Sequence, residues 1–484
     1  MAKLFIFGIG GTGSRVIKSL SMLLASGVDM GPNISEVVPI IIDVDKGNED
    51  LSRTIEILKN YEAIHAKVVS GANYKGFFQT KQTNLFQVSG NEYRLTIQDV
   101  QGKTFGQYID YQTQTGSQKD LSNLLFSGNQ DDKGKPKPLL EMDMAIGFQG
   151  NPKLGCVVLN QFKGNQDFNT FAEKFVAGDR IFIISSIHGG TGAAGFPLLL
   201  KNLRNADVPT PNPALLKNAL IGAITVLPYF QLKEGDIKSA DFISKTKAAL
   251  QYYLKNVNPS LNSMYYIGNE SNTHNYENNK GGTNQKNDAH FVEFVAAMSV
   301  IDFAMQPSNV IEVQGRRFLE FGIENFTNSI DFSVLGNATR SMVQKPLTKY
   351  HFFRMYLDEQ LSKSTNRQPW SNRGKIKITK DFINPNSGFY QVLDSFNKRF
   401  GEWIKEMAAN DPPFIPFTAG AALLNSISNT PAKKSGSKLR MQNFVLFDNY
   451  LNEAERKIGN PPQEQKFIEL FNRATAKILS ERYN

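Results

Sequence analysis

Two glycine-rich segments have the form of loops that hold phosphate groups. The first covers residues 8–14 (GIGGTGS) and the second covers residues 189–195 (GGTGAAG). Each follows a short apolar run typical of a strand and opens a run with the apolar spacing of a helix. Glycine lets the backbone approach a phosphate closely, and a helix N-terminus presents unpaired N–H groups and a partial positive charge. Neither segment contains the GxxxxGK[ST] pattern, so no lysine is expected to cradle the phosphates.

Two acidic residues follow the second apolar run. Asp43 and Asp45 lie where a Rossmann fold places the acidic residue that binds a ribose. The first loop and these acids alone favour NAD binding, or an adenylating enzyme of the ubiquitin-activating type. A Rossmann enzyme has no reason to carry a second such loop at this distance along the chain. The second loop therefore makes a dinucleotide or adenylating enzyme the less favoured alternative.

Apolar runs alternate with helical periodicity along most of the chain. This alternation predicts an α/β fold with a parallel sheet covered by helices on both faces. The polar stretch at residues 61–143 breaks the alternation and is interpreted as an insertion. The expected strands are residues 3–7, 37–45, 180–187, 220–227 and 264–267, and the expected helices are residues 16–26, 48–58, 156–176, 196–205, 240–255, 289–305, 330–343, 389–407 and 464–482.

The second loop and its flanks resemble a known family signature. Residues 180–200 (RIFIISSIHGGTGAAGFPLLL) are similar to the GGGTGxG loop of the tubulin/FtsZ family, with His188 in place of the first glycine. The apolar helix at residues 289–305 resembles the central helix of that family. Other segments resemble the family's loops and stand in the family's order: IDVD at 42–45, GFQGNPKLG at 147–155, ITVLPYF at 224–230 and YYIGNES at 265–271.

This resemblance implies a GTP-binding domain at residues 1–287, a central helix at 288–306, and a divergent, mostly helical C-terminal domain at 307–484. GTP would bind at the carboxyl edge of the sheet, with Mg²⁺ held mainly by phosphate oxygens and water. Asn269 would contact guanine, Pro228 would lie beneath the ribose, and Asn151 would lie near the terminal phosphate. The residues that the resemblance assigns to the nucleotide are Gly10, Gly11, Thr12, Gly13, Ser14, Asp43, Asp45, Gly150, Asn151, Gly189, Gly190, Thr191, Gly192, Ala193, Pro228, Asn269 and Asp288, with Asn287 and His290 as alternatives to Asp288.

The family completes its catalytic site when subunits stack head to tail. An NxDxxD-type loop after the central helix brings acidic groups to the next subunit's nucleotide, where they orient the attacking water. No such motif directly follows Met305, and the loose match NSIDF at residues 328–332 makes Asp331 the candidate catalytic residue. Alternatively, Asp331 only begins a helix. The resemblance thus predicts a GTPase that assembles into filaments, and the alternative is a nucleotide-binding scaffold that neither polymerises nor hydrolyses GTP.

The composition is that of an ordinary soluble globular protein, with 40% hydrophobic and 20% charged residues in 484. The net charge is +9, but the basic residues are scattered, and the groups at 367–380 and 433–440 are interpreted as solvated loops. Self-association is the expected contact, while an unidentified protein partner, nucleic acid or a membrane remain open. The single cysteine, Cys156, excludes an internal disulfide and is expected to be buried. Because no stretch approaches the roughly 18–20 apolar residues that span a bilayer, we expect a cytoplasmic protein.

Overall fold

The computed structural model describes residues 2–483 except 70, 72–73, 127–128, 131–135, 163, 206, 208, 230, 233–238, 270–274, 277–281, 283–285, 316, 322, 324–327, 387 and 434–442. The strands are β1 Ala2–Ile9, β2 Ile34–Ile42, β3 Lys81–Gln82, β4 Asn129–Gln130, β5 Pro136–Lys137, β6 Arg180–Ser186, β7 Leu220–Val226, β8 Gln231–Leu232, β9 Ser263–Ile267, β10 Asn275–Tyr276 and β11 Phe318–Glu320. The helices are α1 Gly10–Ala25, α2 Glu49–Val68, α3 Phe105–Tyr108, α4 Gly116–Phe126, α5 Pro152–Val158, α6 Gln166–Lys174, α7 Gly190–Arg204, α8 Pro213–Lys217, α9 Ser239–Asn256, α10 Phe291–Met305, α11 Ser308–Ile311, α12 Asn337–Glu359, α13 Leu361–Ser364, α14 Pro369–Asn372, α15 Gly388–Ala409, α16 Asn443–Glu455 and α17 Gln463–Arg482.

Seven of the described strands form one parallel sheet in the order β11-β9-β7-β6-β1-β2-β3. β1 lies in its middle, where Phe5 is paired with Val38 of β2 on one side and with Ile181 of β6 on the other. Successive β1 side chains enter different cores, so that Leu4 faces one core and Phe5 the other. A strand buried on both faces has a continuous apolar sequence, which is why this run was recognisable. The predicted α/β fold with a parallel sheet is confirmed.

The two faces of the sheet carry different sets of helices. α1, α10 and the C-terminal helices α12 and α15 to α17 share one core, whereas α5, α6, α7 and α9 contribute to the other. α10 is buried almost all round, because the sheet lies on one side of it and the C-terminal helices on the other. Phe294 of α10, for example, contacts Trp403 of α15 at a ring distance of 6.0 Å. The central helix and the mostly helical C-terminal region agree with the predictions.

Several boundaries differ from the sequence predictions. α2 continues to Val68, and Tyr61, the first residue of the predicted insertion, is buried within this helix against Phe78. Part of the polar stretch joins the main sheet, because β3 pairs with β2. The helix expected at 330–343 begins instead at Asn337. Of the described helices, none is long and apolar enough to cross a membrane.

Candidate functional site

The two glycine loops lie at adjacent strands on the carboxyl edge of the sheet. β1 leads into α1 on one face, whereas the neighbouring strand β6 leads into α7 on the opposite face. The chain therefore leaves these two strands in opposite directions, and we call the region between the two loops the crevice. Open α/β sheets hold their ligands at such a change of direction. The fold thus places both loops at the position where a ligand is expected.

Backbone geometry shows how closely the loops approach one another. Gly10 has a φ of +73°, and a β-carbon on it would lie 3.3 Å from the Cβ of Thr191. A β-carbon on Gly190 would lie 3.2 Å from the backbone nitrogens of both Gly150 and Asn151. Residues 8–14, 147–151 and 188–192 therefore meet at one place. α1 begins at Gly10 and α7 at Gly190, so both helices direct their N-termini to this crevice.

The other loop residues have mixed surroundings. A β-carbon on Gly13 would lie 2.8 Å from the Cα of Gly8, so Gly13 is required for α1 to pack on β1 whether or not a ligand binds. The amide of Asn151 donates to the carbonyls of Phe148 and Gln149, both at 3.1 Å, and so holds its own loop. The remaining predicted members of the crevice are Gly11, Thr12, Gly189, Gly192 and Ala193, which belong to the first turns of α1 and α7 or directly precede them.

Among the buried polar groups near this edge, the Ser14 hydroxyl and the Asn269 side-chain nitrogen have no hydrogen-bond partner within the described residues. The Asn269 backbone N–H is 3.5 Å from the Pro228 carbonyl, which places the two predicted base and ribose residues side by side. Since β9 is two strands from β6, Asn269 lies about 10 Å from the second glycine loop. A buried amide without a partner calls for an explanation such as a bound ligand. These observations fit a nucleotide with phosphates at β1 and β6 and a base at β9.

Asp43 and Asp45 lie at the carboxyl end of β2, next to the first loop. Asp45 accepts hydrogen bonds from the backbone N–H groups of Gly47 at 3.0 Å and Gly282 at 2.7 Å. Burial, with a contribution from the charge of Asp45, raises the pKa of Asp43 to about 7. In the described part of the chain, no cluster of three or more His, Cys, Asp or Glu side chains could hold a metal ion. Two carboxylates suit Mg²⁺ only if phosphate oxygens and water complete its coordination.

A buried group of charges beneath the first loop was missed by the sequence analysis. Arg15 donates from Nε to Glu293 at 2.5 Å, from Nη1 to Asp50 at 3.1 Å, and from Nη2 to the Tyr229 hydroxyl at 3.2 Å. Glu293 is 0% exposed and Asp50 is 1% exposed. The sequence signal was the carboxylate of Glu293, which interrupts the apolar run in the first turn of α10. Such a residue is almost never buried unless it is paired.

The same group of charges extends to the C-terminal region. Arg53 donates to Asp50 at 2.6 Å and to Glu406 at 2.8 Å, and Lys18 lies 3.5 Å from Glu406. We call the six residues Arg15, Lys18, Asp50, Arg53, Glu293 and Glu406 the charge network. It joins α1, α2, α10 and α15, and its three cations balance its three carboxylates. The first glycine loop is thereby tied to the central helix and to the C-terminal region.

The three residues before α10 that could contact the base differ in whether their side chains already form hydrogen bonds within the protein. Asn287 donates to Asp50 at 2.7 Å. His290 caps α10, because its Nδ1 accepts from Val292 at 3.0 Å and its Nε2 donates to the Asp411 carbonyl at 2.8 Å. Asp288 is exposed, and burial together with the charge of Glu406 raises its pKa. Of these three side chains, only that of Asp288 forms no hydrogen bond within the described residues.

His188 lies where the family signature has a glycine. Burial, and then the charge of Arg15, lowers the pKa of His188 to about 3. Its ring is therefore neutral at pH 7 and lies 6.2 Å from the ring of Tyr229.

Asp331 lies in a buried turn. It is 3% exposed, and its Oδ1 accepts from both the N–H and the hydroxyl of Ser333 at 2.6 Å. Its Oδ2 accepts from the Asn429 amide at 2.5 Å. The structure does not bring this carboxylate to the glycine loops, and it gives Asp331 a role in holding the turn. The catalytic assignment stays a prediction.

The prediction that Cys156 is buried is wrong, because its side chain is exposed. α5 buries Leu154 and Val158 and turns Cys156 outwards. Because the residues next to Cys156 are all apolar, the sequence did not indicate which side of this helix is exposed.

No family model matches this sequence, and no curated protein matches it. Among solved structures, the chain aligns with CetZ2 from Haloferax volcanii, a GTPγS-bound protofilament, at 14% identity and a TM-score of 0.29, covering 63% of this chain and 58% of that chain. It aligns with CetZ from Methanosaeta thermophila strain DSM 6194 at 16% identity and a TM-score of 0.24, covering 55% of this chain and 46% of that chain. The chain thus spans about half the length of these proteins. At such scores the assignment of the fold rests on the strand order and the loops.

Proposed function

We propose that this chain is a tubulin/FtsZ-like protein that binds GTP in the crevice between β1 and β6. The observation that carries the proposal is the pair of glycine loops at adjacent strands where the chain changes direction, each opening a helix on a different face. The amide of Asn269, two strands away, has no hydrogen-bond partner within the described residues and supports a base at that end. A phosphate and a base could then be held by one edge of the sheet.

Each group at this edge has a distinct task in the proposal. Backbone N–H groups at the starts of α1 and α7, with the Thr191 hydroxyl, hold the phosphates. Asn269 donates to the edge of the base, and Pro228 supports the ribose. Asp43 and Asp45 would hold the water shell of a Mg²⁺ ion, and that ion would supply positive charge to neutralise the phosphates. The charge network carries no net charge, so it holds the loop in place and does not attract phosphate.

For hydrolysis we propose that subunits stack head to tail and that an acid near the far end of α10 reaches the next subunit's site. Asp302 is the carboxylate in the last turn of this helix, where it accepts from the Tyr265 hydroxyl at 2.6 Å and from the Gln306 amide at 3.1 Å. It is partly exposed, whereas Asp331 is buried. Asp302 is therefore the first candidate to orient the attacking water, and Asp331 is the second.

Light scattering and phosphate release on the purified protein, with GTP, ATP or no nucleotide, test this proposal. We expect a rise in both signals that is specific to GTP, with release per molecule increasing as protein concentration increases. Asp302→Asn should bind GTP but release no phosphate, because the neighbour's acid is lost, whereas Asp331→Asn should retain release if it folds. Absence of any guanine-nucleotide binding would overturn the proposal.

A second candidate function is a scaffold that binds GTP without hydrolysis. The burial of Asp331 favours it, since the acid with the loose family motif does not reach the surface. GTP binding at every protein concentration, without scattering or phosphate release, would establish this alternative over a filament-forming GTPase.

Replacing Asn269 with Ala should weaken GTP binding about 10–100-fold. The variant lacks the amide that donates to the base, so a polar group of the base would be buried without a hydrogen bond. Inorganic tripolyphosphate provides the control, since it has the phosphates and no base. Its competition against a fluorescent GTP analogue should yield the same affinity for tripolyphosphate in the variant and the parent protein. An equal loss for GTP and tripolyphosphate would show that Asn269 does not contact the base.

A further inference from the structure

A cavity of about 720 Å³ lies between α7 and α9, beside α5 and next to the second glycine loop. Its walls include Ile187, Leu200 and Ala249, so much of its surface is apolar. A volume of this size is in the range of pockets that bind small organic molecules. Its inner end reaches Ala193, in the first turn of α7.

Every charged side chain that lines this cavity is basic. Lys201 and Lys245 are exposed at its rim, and neither has an ion-pair partner within the described residues. Arg204 also lines it, and its guanidinium donates to the carbonyls of Ser260 at 2.9 Å and of Ala219 at 2.8 Å. The other acceptors of Arg204 are likewise neutral, so this partly buried cation lacks a negative partner in the described structure. Partly buried cations are usually paired with an anion.

Two further polar groups belong to residues that line the cavity. The Tyr253 hydroxyl is buried beside the hydroxyl of Thr225, with which it interacts. Pro197 stands inside α7 and has no N–H, so the carbonyl of Ala193 lacks its usual helical donor. A ligand in this cavity would also meet the polar side chains of Asn205, Asn256 and Ser260 among the apolar walls.

We propose that this cavity binds an amphipathic organic anion, with its apolar body between α7 and α9 and its acidic group among Lys201, Arg204 and Lys245. The apolar walls bind the body, and the three cations, which no carboxylate of the lining offsets, select an acid over a neutral molecule. Of the residues assigned to the nucleotide, only Ala193 also lines this cavity, and the three cations that would bind the acid lie outside the nucleotide site. A fatty acid or an aromatic acid has the required chemistry.

The test uses 8-anilinonaphthalene-1-sulfonate, an aromatic anion, and N-phenyl-1-naphthylamine, which has the same rings without the sulfonate. Fluorescence titration of the full chain should give an affinity for the sulfonate that falls about tenfold or more in the double variant Lys201→Glu and Lys245→Glu, because two attractions become repulsions. The neutral amine should bind the variant and the parent equally. The double variant Lys247→Glu and Lys255→Glu makes the same charge change on exposed lysines of α9 that do not line the cavity, and it should bind the sulfonate as the parent does.

Cys156 gives an independent measure of where the probe binds, because it lines the cavity and is the only cysteine in the chain. Saturating anilinonaphthalene sulfonate should slow the reaction of Cys156 with a maleimide, and Ala249→Trp, which fills the cavity, should remove this protection. The rim variants change exposed residues, so circular dichroism should show them folded. Unchanged sulfonate binding in the Lys201 and Lys245 variant, or unchanged Cys156 reactivity, would overturn the proposal.

Discussion

Replacing Arg15 with Met should lower the free energy of unfolding by about 3–5 kcal/mol, because it leaves a buried carboxylate without its cation. Glu293 is 0% exposed and receives its charged contact from Arg15 at 2.5 Å. Asp50 would keep Arg53, so the loss falls mainly on Glu293. Urea denaturation, followed by circular dichroism, measures this change directly.

The chain provides a matched control for this prediction. Lys59 and Glu92 form an ion pair at 2.6 Å with side chains 49% and 42% exposed, so Lys59→Met should cost less than about 1 kcal/mol. The double variant Arg15→Met and Glu293→Met should cost less than the sum of its two single variants, since it buries no unpaired charge. An Arg15→Met variant no less stable than Lys59→Met would refute the account of the charge network.

Lowering the pH should also reduce the stability that the charge network provides, through protonation of Asp50. Burial raises the pKa of Asp50, but the charge of Arg15 and hydrogen bonds from Asn287 and Arg53 outweigh it and leave the pKa below its ordinary value of 3.8. The folded state therefore gains stability from Asp50 above that pH, and it loses this gain as the pH falls through the lowered value. Arg15→Met removes part of the lowering, so its stability should depend less steeply on pH below about 4.

Thr191→Asp should weaken GTP binding by about 100-fold or more. Thr191 lies opposite Gly10 in the crevice, so the new carboxylate would face the phosphates, and such like-charge contacts cost several kcal/mol. Thr191→Ser keeps the hydroxyl and should bind GTP as the parent does. Thr170→Asp makes the same chemical change on α6, outside the crevice, and serves as the control. Competition against a fluorescent GTP analogue measures all three, and unaltered binding by Thr191→Asp would place the phosphates elsewhere.

The sequence predicted the features that depend on neighbouring residues. Both glycine loops, their strands and the helices after them are local patterns, and all of them are present in the structure. The charge network was not predicted, because Arg15 and Glu293 are 278 positions apart and meet only when α1 and α10 pack together. Asp331 is a second residue whose surroundings depend on a distant part of the chain. Its local sequence resembled a catalytic loop, but Asn429, which is 98 positions away, helps to enclose it.

Exposure on short helices was equally hard to predict. Cys156 stands in an apolar run, yet α5 has only two turns and presents one side to solvent. The apolar run at residues 156–159 therefore predicted a buried segment, but residues 156 and 157 are exposed. β3, with two residues, is too short for any periodic pattern to reveal, and only its pairing with β2 identifies it as the edge of the sheet.

The position of β1 also decides when this fold can form during synthesis. Leu4 pairs with Arg180, and the backbone N–H of Lys3 donates to Asp179, 176 positions later. At about 5–20 residues per second, a ribosome needs roughly 10–35 seconds to proceed from the first strand to this partner. During that interval one edge of the future central strand is unpaired, and unpaired strand edges promote aggregation. The first segment of the nascent chain therefore carries this exposed edge until the middle of the protein has been made.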